Sequence, residues 1–257
     1  MKNNVFKKII SVVLSICCIA SCFAFTNTNV LAATNARNKA YGKVVSSLVN
    51  QYGKAKYDDY NGAILGVNCV ELIDFNKDGK DELLVTYTDV KNSEFPSLYY
   101  RIYAYINKKA KCVKKGLYGT GGEIGNRGGI FLEYTNKGVL LVTQKFVFDM
   151  EKNIDDYFII TYSFNGKKFK QKDKLSSQDH SADYEAEPVR KLNGKKISEK
   201  EFMKQKNKML FDRFDAEKKG KIIYTKNGVK LILVDSYEKK NRTMIISRVN
   251  KNIAKLK

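Results

Sequence analysis

Oxygen-bearing side chains recur at alternate positions in one short segment, residues 74–82, which we call the acidic loop. Asp74, Asn76 and Asp78 stand at its positions 1, 3 and 5, and Gly79 and Glu82 follow at positions 6 and 9. Ca²⁺ is a hard cation that takes about six to eight oxygen ligands, and a glycine at the bend lets a short loop turn several of them inward. The spacing therefore predicts a calcium loop.

Strands rather than helices flank the acidic loop. Val85 stands at position 12, where an EF-hand needs a bidentate glutamate, and no helical periodicity borders the loop. Residues 70–73 lead in and residues 83–87 lead out, and both runs are short and bounded by turn residues. With these strands, residues 70–87 resemble the FG-GAP and VCBS type of repeat, which occurs in integrin-type propellers and in many secreted bacterial proteins. A single copy is too few for a propeller.

The resemblance implies a ligand set for calcium: the side chains of Asp74, Asn76, Asp78 and Glu82, and the backbone carbonyl of Lys80. Glu82 stands where the repeat most often has Asp, which could change how the carboxylate binds the ion. The residues also allow another interpretation, a hairpin closed by residues 77–79 without any ion, because Asp-Gly is itself a turn signal.

The first 32 residues predict a secretion signal. Three lysines precede an apolar stretch at 9–20, and small residues lead up to Ala33. The apolar stretch is too short for a comfortable membrane span. Cleavage near Ala32 is favoured, and the alternative is a lipobox at 19–22 that would leave a lipidated Cys22. The expected location is outside the cell or on its surface.

Two cysteines, Cys69 and Cys112, remain after the signal is removed. Export permits a disulfide between them, but Cys69 lies in an apolar run and buried free cysteines are common, so both outcomes stay open. No cysteine and histidine spacing suited to zinc occurs.

Residues 33–257 are expected to form a single domain, whose charge is uneven. Residues 33–166 carry 18 basic and 15 acidic residues, whereas residues 167–257 carry 26 and 12. The basic C-terminal part, 167–257, would attract polyanions, and outside the cell an anionic cell-wall polymer or polysaccharide is the expected kind. The alternative is a solvated lysine-rich surface. No module that reads nucleic acid is recognisable, so nucleic acid is not an expected partner.

Periodicity and turn signals predict an α+β fold. Apolar residues at helical spacing predict an amphipathic helix over 36–52, and alternating segments from 98 to 171 predict an antiparallel β-meander. A capping box of Ser198 and Glu201 predicts a second helix over 199–213, with Met203, Leu210 and Phe214 on its buried side. Strands at 222–225, 229–235 and 243–249 are expected to finish the sheet. The fold class is thus mainly antiparallel β-meander, with an N-terminal helix and one helix in the C-terminal region.

Residues 98–106 alternate so that Tyr99, Arg101, Tyr103 and Tyr105 share one face of a strand. Tyrosines in strands usually serve packing, and the alternative is an aromatic platform for sugar rings.

Catalytic residues are harder to find. His180 is the single histidine and has no recognisable nucleophile partner. The glycine-rich residues 119–129 lack the Lys-Ser/Thr of a phosphate loop, and Glu123 and Arg127 are their only charged members.

A further set of acidic residues is expected in a solvated turn, with a second cation site or a carboxylate pair as the alternative: Asp149, Glu151, Asp155 and Asp156.

These patterns predict a secreted, calcium-binding, non-catalytic extracellular or cell-surface protein. The alternative is a carboxylate-dependent extracellular hydrolase that acts on glycans.

Overall fold

The computed structural model describes residues 33–59, 63–90, 96–120, 127–149, 153–180, 187–210, 229–231 and 239–256. The elements in this part of the chain are, in order, α1 (33–52), β1 (Lys56–Asp58), β2 (Ala63–Ile73), β3 (Glu82–Asp89), β4 (Ser97–Ile106), β5 (Lys109–Thr120), β6 (Arg127–Thr135), β7 (Gly138–Asp149), β8 (Ile154–Phe164), β9 (Phe169–His180), β10 (Val189–Leu192), β11 (Lys195–Lys196), α2 (Glu199–Leu210), β12 (Val229–Leu231) and α3 (Lys239–Ala254).

The strands form two antiparallel meanders. The first sheet has the order β1-β2-β3-β4-β5, and the second has the order β11-β10-β9-β8-β7-β6-β12. Consecutive strands pair with each other through β5 and again from β6 to β11, as short turn signals between alternating segments predict. The predicted α+β class with a mainly antiparallel meander is confirmed. Among the described residues, no helix has the length and apolar character needed to cross a membrane.

The two sheets pack face to face and enclose an apolar core. Strand alternation sends every second side chain of each sheet into this interior. Leu84 of β3 and Ile102 of β4 are fully buried there against Leu132 of β6 and Leu141 of β7. The result is a β-sandwich whose interior is apolar along most of its length.

Helices α1 and α3 cover the outer face of the first sheet. Tyr41 and Leu48 of α1 and Ile245 and Val249 of α3 are buried in one cluster with side chains of β2, β3 and β4. The predicted helix over 36–52 is therefore confirmed, and it docks on a sheet. Because α1 and α3 occupy this face, the central strand β3 is buried on both sides along nearly all of its length.

The tyrosine face of β4 packs beneath these helices rather than forming an open platform. Tyr103 is only 8% exposed, and Tyr99 and Tyr105 pack against the same cluster. Tyr87 of β3 stacks on Tyr52 of α1 with ring centroids 4.1 Å apart. The alternation predicted for β4 is correct, and the tyrosines serve packing.

Helix α2 covers the outer face of the second sheet. Phe202 and Met209 are buried against Phe131, Ile159 and other side chains of β6 to β9. The predicted helix is confirmed over 199–210, but Met203, which was predicted on its buried side, is 43% exposed. The buried residues lie seven positions apart, two turns of a helix, so they share one face. Phe214 lies outside the described residues, as do the last residues predicted for this helix.

The C-terminal region differs from the prediction. Residues 243–249, predicted as a strand, lie within α3. Ile245, Val249 and Ile253 recur every four residues and face the first sheet, so burial of a helical face overrides the local β-propensity of this β-branched run. Strand β12 pairs with β6, whereas the predicted partner at 222–225 lies outside the described residues.

Candidate calcium site

The acidic loop joins β2 to β3 and lies where the first sheet meets the edge of the second. Two positions bend the backbone into the left-handed region, Lys77 with φ of 58° and Gly79 with φ of 80°. Gly79 fits this conformation without strain, as the loop glycine was expected to. The bend folds the loop back on itself and brings its oxygen-bearing side chains to one side.

Two carboxylates organise the interior of the acidic loop. Asp74 accepts hydrogen bonds from the backbone N–H groups of Asp78 at 3.1 Å and Gly79 at 2.8 Å. Asp78 accepts one from the Lys80 N–H at 2.9 Å and another from the Asn76 side-chain amide at 3.1 Å. These bonds hold three of the predicted ligand residues in one compact turn, with their side chains facing inward.

The side-chain oxygen of Asn76 is buried and has no hydrogen-bond partner. Its amide nitrogen is used by Asp78, so the Oδ1 atom is the free end of a fixed side chain. A buried oxygen without a partner costs roughly 1–3 kcal/mol, and such groups in a native fold call for an explanation. Asn76 stands at position 3 of the loop, a predicted calcium ligand, and a cation would satisfy this oxygen.

Glu82 is the most buried acid of the loop, with 4% of its surface exposed. Its carboxylate accepts a hydrogen bond from the Phe75 N–H at 3.1 Å, across the neck of the loop. Burial raises the pKa of Glu82 to about 7, and the nearby charges of Asp78, Asp74 and Asp81 act in the same direction, against the Phe75 bond. The surroundings of Glu82 therefore favour its protonated form over its ionised form.

Asp81, which is not a predicted ligand, ties the loop to α1. Its carboxylate pairs with Arg37 at 3.1 Å, and its backbone carbonyl accepts a hydrogen bond from the Tyr41 hydroxyl at 3.0 Å. Sequence reasoning missed Arg37, because the helical pattern of α1 shows only which face is apolar. The partner on a loop 44 residues away becomes visible only in the fold.

The other side of the acidic loop is clamped to the second sheet. Phe75 is 1% exposed and meets the Phe169 ring edge-on at 5.0 Å. Its carbonyl accepts a hydrogen bond from the Val139 N–H at 2.8 Å. Gly138 permits this approach, because its φ is 135° and a Cβ atom there would collide with the Phe75 carbonyl. The loop therefore links α1, the first sheet and the second sheet at one place.

A cavity of about 560 Å³ opens beside the loop. Arg37, Asp81 and Glu82 line it on one side, and the β4–β5 turn with Lys108 lines it on the other. Solvent and ions thus have a route to the buried carboxylate of Glu82.

The predicted ligand residues are neighbours without being a preformed carboxylate cage. Across the part of the chain that the structure describes, no group of three or more His, Cys, Asp or Glu side chains is close enough to hold a metal ion. Asp74, Asp78 and Glu82 therefore do not converge on one point, and an ion would have to draw them together. The remaining predicted donors are neutral oxygens, Asn76 Oδ1 and the Lys80 carbonyl. The donor chemistry suits Ca²⁺, which prefers carboxylate and carbonyl oxygens.

The other candidate residues that the structure describes lie on strands at one end of the second sheet, where β7, β8 and β9 pair. Asp155 and Asp156 lie within β8 rather than in the expected turn, on opposite faces because they are adjacent, and Asp156 accepts a hydrogen bond from Gln178 at 3.1 Å. Asp149 ends β7 and His180 ends β9. Glu123, Glu151 and the signal at 1–32, with Cys22, lie outside the described residues.

Cys69 and Cys112 do not form a disulfide with each other. Cys69 is buried and Cys112 is exposed, on β2 and β5 at opposite sides of the first sheet's central strands.

Comparisons with known proteins add little. No family model matches this chain, and no curated protein matches it. Among solved structures, the crystal structure of CarG is similar to part of it, with 14% sequence identity and a TM-score of 0.35 over 47% of this chain and 92% of CarG. A similarity this low carries no argument about the function of this chain.

Proposed function

We propose that the protein is secreted and that its acidic loop binds calcium, which stabilises a non-catalytic extracellular or cell-surface binding domain. The observation that carries the proposal is the buried Asn76 oxygen without a partner, in the same loop as the buried carboxylate of Glu82. Both groups gain from a cation, and both stand at positions that the resemblance to FG-GAP and VCBS repeats assigns to ligands. Export is supported by the basic and apolar character of residues 1–32.

Calcium would act on stability through the contacts of the loop. The ion offsets the mutual repulsion of the loop carboxylates, and a ligand that binds only the folded chain stabilises it in proportion to the logarithm of its concentration above the dissociation constant. Since the loop contacts α1 through Asp81 and the second sheet through Phe75, ordering it would stiffen the whole sandwich.

A thermal melt of the mature chain, residues 33–257, with and without millimolar calcium tests this proposal. We expect a saturable rise of the midpoint, about 2–4 °C for each 1 kcal/mol of linkage, and a smaller rise with magnesium, which demands a tighter octahedral site. Asp78→Ala should abolish the rise. The matched control is Glu187→Ala, which removes one exposed carboxylate outside the loop and should respond to calcium as the wild type does.

Two outcomes would count against calcium binding. One is a wild-type midpoint that calcium leaves unchanged, which would reduce the loop to a turn. The other is an equal rise in Asp78→Ala, which would place the ion elsewhere.

A further inference from the structure

One end of the sandwich interior breaks the apolar pattern of the rest. Inward positions of β7 begin with Val139 and Leu141, which are buried in the core, and continue with Thr143 and Lys145. Lysine is among the residues least often found inside a fold, because burial removes water from its charge. Departures from a binary pattern of this kind concentrate at functional sites.

The lysines of three strands meet in one cavity of about 340 Å³ between β5 of the first sheet and β7, β8 and β9 of the second. We call it the lysine cavity. Its volume is at the lower end of the range for small-molecule sites, about 300–1,000 Å³. Its basic lining residues are Lys114, Lys115, Lys145 and Lys174.

Aromatic rings hold two of these ammonium groups in place. The Lys114 nitrogen lies 3.6 Å from the centroid of the Tyr162 ring, and the Lys174 nitrogen lies 4.7 Å from that of Phe158. Such cation–π contacts favour the charged form and fix its position. Neither lysine forms an ion pair with another described residue, and burial lowers the pKa of Lys114. The cavity thus concentrates positive charge that carboxylates of the described chain do not neutralise.

We propose that the lysine cavity binds an acidic group of an acidic polysaccharide. The ammonium groups of Lys114, Lys145 and Lys174 would receive the carboxylate, and the apolar wall formed by Phe158, Ile160 and Leu117 would contact the ring carbons of the same sugar. A sugar acid presents both kinds of surface, whereas a phosphate chain has no apolar face.

This inference names a ligand for the proposed extracellular binding function. It rests on the proposal that the protein is extracellular, but not on the proposal that the acidic loop binds calcium. No residue of the acidic loop lines the lysine cavity, and no lysine of the cavity belongs to the loop. The two sites can therefore be tested in one protein by separate variants.

Isothermal titration of the mature chain with oligogalacturonate tests the proposal. We expect saturable binding that weakens as sodium chloride is raised, since screening acts on exposed charge pairs, and no binding of neutral maltohexaose. Lys114→Met should lower the affinity at least about tenfold while the melting transition persists, because methionine keeps the length and loses the charge. Lys200→Met, an exposed lysine of α2, is the matched control and should bind as the wild type does.

Separate outcomes would overturn each part of the proposal. Equal affinity losses in Lys114→Met and Lys200→Met would show a diffuse charge effect and no site. Binding of inorganic polyphosphate with the same affinity and the same dependence on Lys114 would remove the assignment to a saccharide. If Lys114→Met fails to fold, Lys145→Met and Lys174→Met provide the same comparison. Asp78→Ala should lose the calcium response and still bind oligogalacturonate, so failure of one site leaves the other measurable.

Discussion

The acidic loop and the lysine cavity both place charge beside the apolar core of the sandwich, and they hold it in opposite ways. In the loop, backbone N–H groups orient the carboxylates of Asp74 and Asp78. In the cavity, ring faces orient the ammonium groups of Lys114 and Lys174. Each arrangement fixes its charge without neutralising it. If both proposals hold, one domain carries a cation site and an anion site that packing keeps apart.

The two regions also differ in what supports them. The acidic loop lies at a junction, held by Arg37 of α1 on one side and by the β6–β7 turn on the other. The lysine cavity is a gap at the edge of the first sheet, where β5 is the last strand of that sheet among the described residues. We therefore expect changes in the loop to cost more stability than changes in the cavity.

We expect the largest effect on the free energy of unfolding from removing the buried Phe75 ring, which attaches the acidic loop to the second sheet. Phe75→Ala deletes a fully buried ring that packs against Phe169, which typically costs about 3–5 kcal/mol. Urea denaturation would measure the loss, and calcium titration of the folded variant should show weaker binding. Oligogalacturonate binding should survive at temperatures where the variant is folded. If Phe75→Ala abolished both activities in a folded protein, the two regions would not be independent.

The next largest effect is a dependence of stability on pH, which calcium should remove. The pKa of Glu82 is raised to about 7 in the fold, so the folded chain holds this proton more tightly than the unfolded chain. Stability without calcium should therefore fall as pH rises from about 4.5 to about 7, by up to about 3 kcal/mol. Calcium favours the ionised carboxylate, so its stabilising effect should be larger at pH 8 than at pH 5.5.

The matched control for this dependence is Glu82→Gln, which keeps the shape of the side chain and removes the titration. Urea midpoints across the pH range should then lack the fall attributed to Glu82, with or without calcium. An identical fall in wild type and Glu82→Gln would assign the dependence to other groups.

Local features of the sequence predicted more than non-local ones. The helix over 36–52, the meander and the acidic loop were all predicted, because their signals lie within a few residues of each other. Residues 243–249 were misassigned, since the β-branched run outweighed the four-residue spacing of Ile245 and Val249. The lysine cavity was not predicted at all, because its lysines lie on three strands that only the register of two sheets brings together. The charge excess of residues 167–257 did not indicate the cavity either, because only Lys174 of its four lysines belongs to that part of the chain.

The smallest expected effect on stability is a gain rather than a loss, and it comes from a substitution in the lysine cavity. Lys114 lies over Tyr162 in a site where burial lowers the pKa of its ammonium group. Replacing it in Lys114→Met removes the cost of that burial, and we expect a gain of about 0.5–1 kcal/mol after allowing for solvent screening. Lys115→Met, exposed on the same strand, should leave stability within about 0.5 kcal/mol.

The pH dependence of this gain distinguishes the cavity from the loop. A lysine whose pKa is lowered by folding destabilises the fold at neutral pH and less so as pH rises, because the folded chain then loses its proton before the unfolded chain does. The gain in stability of Lys114→Met over wild type should therefore shrink in alkaline buffer. The loss of stability caused by Glu82, in contrast, grows as pH rises from about 4.5 to about 7. A midpoint that drops in Lys114→Met at neutral pH would mean that the cation–π contact with Tyr162 outweighs desolvation, and that the cavity holds its charge for stability rather than for a ligand.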